Sequence, residues 1–172
     1  MQCRSAIRAA LTEPTEKEPS MTADPSAAYA TAMSAAELVA CDDPRGELLL
    51  LSASELPHAQ LRDAALKVFA GYLAGDPLES LRADIHHTAQ EIGAGDRQVI
   101  LNMEVVALLE ATIRRDEDML RTIIDGSEFT PLDHAHVAVS LAGRAILDWV
   151  GSDRAPGVFG ALRRQHGISG AP

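Results

Sequence analysis

The chain is poor in the residues that mark many specialised proteins. Its 172 residues include two cysteines (Cys3 and Cys41), two lysines (Lys17 and Lys67) and 3% aromatics. Two cysteines give neither a disulfide framework nor the paired spacing of a cysteine zinc site. A reducing, cytoplasmic setting is therefore the expectation. No apolar run approaches the roughly 18–20 residues needed to span a bilayer, so no membrane role is expected. Basic residues are outnumbered, with 15 Lys+Arg against 25 Asp+Glu and a net charge of −10. Phosphate backbones need a basic footprint, so nucleic acid is not expected as a partner. There is no convincing run of period-two alternation, and hence no strand to carry a glycine-rich phosphate loop. No Ser/His/Asp or Cys/His arrangement stands out either, so no enzyme activity and no cofactor are expected.

What is present is apolar and helical in period. Hydrophobic residues make up 47% of the chain, enough for one domain with a real core. Residues 12–20 are dominated by charged residues, Pro, Thr and Ser, which bury too little surface to offset the entropy of ordering. Residues 1–23 are therefore expected to be a flexible extension, of which 1–20 could be sequence upstream of the true start. A helical domain is expected over 24–166 and a flexible tail over 167–172. The acidity resides in 21–151, because the charged residues of 1–20 cancel and 152–172 is slightly basic.

A capping residue followed by proline recurs at Asp24-Pro25, Asp43-Pro44, Asp76-Pro77 and Thr130-Pro131. The cap side chain accepts from free first-turn amides, and proline in the first turn gives up no needed donor. Asp133, three residues after Thr130, would complete a capping box. Gly75, Gly93, Gly126 and Gly151 mark exits. The spacing predicts helices over 25–41, 45–53, 57–74, 77–92, 97–115, 117–125 and 131–150, with a weaker eighth over 156–165. The expected fold is an all-α bundle of seven to eight helices. Helices 97–115 and 131–150 are apolar over most of their circumference and should sit at its centre; Arg97, Glu104 and Arg115 form the wet strip of the first. Helices 57–74 and 77–92 read as outer amphipathic helices.

A shift of 73 positions superposes Glu37 on Glu110, Asp43 on Asp116 and Ser54-Glu55 on Ser127-Glu128. One further residue of shift places Pro57 on Pro131. This suggests two pseudo-repeated three-helix units joined by helix 77–92.

The six histidines are the natural place to look for chemistry. Asp84-x-x-His87 and Asp133-x-x-His136 each place a carboxylate and an imidazole on one side of a helix. His87, however, falls on the wet side, and Asp133 is expected to cap. His136 lies at the edge of an apolar arc, while Asn102 and Glu110 project inside another and so need partners; Arg114 is in reach of Glu110. His136, Glu110 and Asn102 are the candidate ligand-binding residues. Val137, Leu141 and Trp149 are the candidate interaction residues. The leading expectation is a non-enzymatic protein acting by protein–protein interaction or self-association. The alternative is a bundle that binds a small ligand or metal ion through buried polar residues.

Overall fold

The computed structural model describes residues 25–168, so the expected extension over 1–23 and the last four residues lie outside it. Eight helices form among the described residues, with no strands. They are α1 (Pro25–Ala40), α2 (Pro44–Ser52), α3 (His58–Leu73), α4 (Asp76–Ile92), α5 (Arg97–Arg114), α6 (Glu117–Gly126), α7 (Pro131–Val150) and α8 (Ala155–Gln165). None is long and apolar enough to cross a membrane. The all-α reading holds, and the helix bounds fall within about one residue of expectation. Gly167 and Ile168, expected in the tail, still pack on the body: the Ile168 amide donates to the Arg163 carbonyl, and its side chain leans on the core.

The caps explain where the helices begin. Asp43 accepts from the Gly46 amide at 2.8 Å, and Asp116 accepts from Met119 at 2.9 Å. Asp96 caps α5 through the amides of Gln98 and Val99. Thr130 and Asp133 form the expected reciprocal box. Asp76 departs from expectation, lying inside α4 while Gly75, at φ +84°, occupies the cap position.

Helix α7 is the hub, packed against α1, α2, α3, α5 and α8. Its central partner is α3, not α5 as the sequence suggested. Helix α3 buries Leu61, Ala64, Ala65, Leu66, Val68, Phe69, Ala70 and Leu73 against α1, α5 and α7. Its alanines make a second apolar face that a count of large hydrophobics overlooks. Helix α5 instead leaves Ile100 and Met103 exposed. Val106 and Ala142, in the middle of the chain, are buried as expected. Helices α1 and α7 cross closely at Gly143, where a Cβ would stand 2.6 Å from the Ala36 carbonyl oxygen.

Segments 73 residues apart share local geometry. Asp42 and Arg115 both adopt positive φ, at 62° and 56°. The next amides close matching turns, Asp43 to the Leu38 carbonyl at 2.8 Å and Asp116 to the Ala111 carbonyl at 2.9 Å. The caps just described, at Asp43 and Asp116, are also 73 apart. Ser54 accepts from the Leu56 amide as Ser127 does from Phe129. The offset continues to the next helix start, where Pro57 corresponds to Thr130 with no added residue of shift. The outer helices follow the same scheme: α4 packs on α5 and α8 on α1. Arg82 accordingly bonds Glu110 at 2.7 Å, and Arg163 donates through both terminal nitrogens to Glu37.

Candidate functional site

The polar chemistry of the bundle collects on the N-terminal half of α7. At the helical angle, positions 133, 136, 140 and 144 share one face, while 134 points away from it. Thr130 and Asp133 fix where this helix starts and so where both histidines emerge. Burial alone would push the Asp133 carboxyl up, but hydrogen bonds from the Thr130 hydroxyl and amide outweigh it and hold the group below its ordinary range.

His134 enters the core, with 1% of its surface exposed. Its Nε2 lies 2.7 Å from Glu104 Oε1 and 3.3 Å from the Ser127 hydroxyl, while Nδ1 is buried without a partner. A nucleophilic relay requires the acid and the hydroxyl on opposite ring nitrogens. Here both share one nitrogen, and the Ser127 oxygen also accepts from the Phe129 amide. The group is a structural tie between α5, α7 and the loop that precedes it. Glu104, expected on a wet strip, is instead drawn to this imidazole.

His136 faces the other way. Its Nδ1 lies 2.8 Å from Oε1 of Glu47 on α2. The Glu47 side chain is fully buried and its Oε2 has no partner among the described residues; His136 retains 36% exposure. The hydrogen bond that His136 donates to Glu47 raises the His136 pKa above its ordinary value, outweighing the opposing effect of burial, and the charges of Glu47 and Asp133 add to the rise. Helix α2 thus inverts the usual pattern, burying Glu47 while exposing Leu48 and Leu49.

Outside this pair lies a groove of about 290 Å³ lined by Gln98, Asn102, His136, Ser140, Arg144 and the apolar Val137 and Leu141. Gln98 donates to the Asn102 oxygen at 2.8 Å, which leaves the Asn102 amide nitrogen without a partner among the described residues. Two of the three candidate ligand residues, His136 and Asn102, are therefore brought together. Glu110 is not. It faces α4, bonded to Arg82 at 2.7 Å and, as expected, to Arg114 at 2.5 Å. His87 is exposed and pairs only with Glu91, one turn away. Among the described residues, no three His, Cys, Asp or Glu side chains lie together as a metal site would require.

The candidate interaction residues also separate. Val137 is 3% exposed and belongs to the core, which corrects its placement on an open face: the flanking helices α2 and α5 cover that side of α7. Leu141 is half-buried against the core, and Trp149 is 53% exposed.

The other half of the bundle carries the corresponding groove, lined by Pro25, Tyr29, Asp63, Ala64 and Lys67 among others. These stand 73 positions before Gln98, Asn102, His136, Val137 and Ser140. At the places of Glu47 and His136 the other half has Leu120 and Asp63, so the clamped imidazole exists on one side only. A larger apolar groove, about 830 Å³, lies between α1, α7 and α8, lined by Leu38, Ala40, Leu147 and Phe159, with Cys41 at its edge. No family model, curated protein or solved structure matches this chain.

Proposed function

We propose that the chain is a non-enzymatic helical protein that binds a small polar ligand in the groove between α5 and α7. The observation that supports this reading is the convergence of hydrogen-bonding side chains from two helices on one open groove, with His136 held in place from behind by a buried carboxylate. Small-molecule sites typically combine an apolar lining with a few fixed polar groups and measure roughly 300–1,000 Å³. This groove, with Val137 and Leu141 beneath its polar rim, suits a ligand at the small end. A thermal-shift screen of the full chain against amino acids, organic acids, sugars and nucleobases tests it. Ligand at a hundred times its Kd stabilises by about 2.7 kcal/mol, roughly 5–10 °C for a domain of this size. The hit should be lost in Asn102→Leu. A screen without hits, or hits indifferent to Asn102→Leu, would refute the assignment. A cytoplasmic setting fits Cys41, a free and exposed thiol.

A second reading, self-association, is favoured by one specific contrast. Leu48 and Leu49 are exposed on α2 where the corresponding positions of α6 hold Arg121 and Thr122. Two adjacent leucines held in water on α2, where α6 has polar residues, suit a second copy of the chain as partner. Light scattering after size exclusion should then give a dimer that Leu48→Arg together with Leu49→Thr converts to monomer. A monomer at all concentrations would exclude it. We also propose that the two three-helix units descend from one duplicated segment. The matching turns, caps and grooves support this, and a family alignment in which 25–75 scores against 98–148 would test it.

A further inference from the structure

We infer that the ligand of the α5–α7 groove is an oxyanion, the carboxylate or phosphate-like group of a small molecule, gripped jointly by His136 and Arg144. This rests on the reading of the groove as a binding site and adds the chemical class of what it binds. The lining carries no carboxylate: its charged or chargeable members are His136 and Arg144, and its neutral ones are Gln98, Asn102 and Ser140. Arg144 is exposed and makes no ion pair among the described residues, in a chain with ten more acidic than basic groups. Asn102 has its oxygen taken by Gln98, so what it has left to offer is N–H. Ser140 adds a hydroxyl.

Glu47 sets the polarity of the imidazole. With Nδ1 engaged by the buried carboxylate, the edge left for the groove is Nε2. When the ring is protonated, Nδ1–H donates to Glu47 and Nε2–H is a donor toward the groove; both charge-assisted bonds favour that state. Two carboxylates and one cation surround His136. From α2 comes Glu47, from its own helix Asp133 and, about two turns further along, Arg144, while α5 presents the uncharged Gln98 and Asn102. Glu47 and Asp133 hold the proton, and Arg144 supplies the second cation that an oxyanion needs. In the corresponding groove of the other half, Asp63 stands in place of His136 and Lys67 in place of Ser140, so that groove carries charges of both signs. The overall negative charge opposes long-range approach only weakly, because fields are screened beyond about 8 Å at physiological salt.

Side-chain and imidazole NMR spectra of the full chain test this with sodium sulfate, sodium acetate and glycerol as probes, at matched ionic strength and at about pH 6 and about pH 8.5. Sulfate or acetate should shift the Asn102 amide and His136 ring signals saturably, with affinity falling about tenfold or more as the ring loses its proton. Preference for sulfate would point to a phosphate-bearing ligand, and preference for acetate to a carboxylate. Arg144→Ala, at an exposed position, should weaken the anion about tenfold without lowering Tm, and His136→Gln should abolish the pH dependence. If glycerol shifts these signals and neither anion does, the oxyanion assignment falls while the groove remains a binding site. If no probe shifts them, both fall. Anion binding that is independent of pH, or unchanged in Arg144→Ala, also overturns the assignment.

Discussion

Gly143→Ala in the middle of α7 and Gly71→Ala in the last turn of α3 make the same chemical change, yet the structure assigns them opposite effects. At Gly143 an added Cβ would stand 2.6 Å from the Ala36 carbonyl oxygen and 2.8 Å from Val39 Cβ. Reaching an ordinary 3.4 Å contact requires α1 and α7 to separate by about 0.8 Å at their crossing. Neither neighbour is the free end of a flexible side chain, so the cost should lie toward the upper part of the overpacking range, about 2–3 kcal/mol. The gain in helix propensity from Gly to Ala returns about 1 kcal/mol. The net loss is about 1–2 kcal/mol, or roughly 2–8 °C in Tm. At Gly71 nothing lies within 4 Å of the added atom, so the propensity gain stands alone and stability should rise by up to about 1 kcal/mol. Urea denaturation of both variants beside the parent chain measures the difference directly. Equal midpoints for the two variants, or a stabilised Gly143→Ala, would refute the close approach of α1 and α7.

His136→Leu strands the buried Glu47 carboxylate and should destabilise by about 1–3 kcal/mol. Glu47→Leu leaves an imidazole that can still reach water and should be near neutral, and chemical denaturation of both singles and the double variant checks the asymmetry. His136 has a raised pKa, so its contribution to stability is complete below about pH 6.5 and is lost as pH climbs through its folded value. His166 behaves oppositely. Burial lowers its pKa, and its contribution is complete above about pH 6.5 and is lost as pH falls through its folded value. His136→Gln should therefore flatten the alkaline side of a stability–pH curve and leave the acidic side in place. Asp43→Ala and Asp116→Ala, which remove corresponding caps, should each cost about 0.5–2 kcal/mol and, being on different helices, their losses in Tm should add.

Local signals were legible because they act within a turn or two of chain. Proline and cap placement located the starts of α2, α4 and α7 to within a residue, and the Glu110–Arg114 pair followed from helix spacing alone. What failed involved burial by distant partners. Helix α5 looked central because residues such as Met103 widen its apolar arc, yet Met103 and its neighbour Ile100 remain about half exposed. Helix α3 looked peripheral because Ala64, Ala65 and Ala70 do not announce a buried face. Glu104 could not be told from a solvated glutamate without knowing that His134, 30 residues away, turns inward to meet it. Glu47 was the least legible. It sits in a helix's first turn, where an acid is favoured by the dipole, and its partner lies 89 residues on. A weak signal existed, since Leu51, one turn later, is buried and shares its face. His136 and Asn102 were identifiable from their place in apolar arcs, but Glu110 is on the far side of α5 among arginines.

The chemistry of the groove depends on a buried Glu47 carboxylate holding His136 by Nδ1. Proton-coupled nitrogen spectra of the imidazole rings, recorded across the pH range, observe that clamp directly. Both ring nitrogens of His136 should stay protonated to higher pH in the parent chain than in Glu47→Gln, which removes the carboxylate charge that holds the proton. A His136 ring that loses its proton at the same pH in both proteins, or at lower pH in the parent, would contradict the clamp.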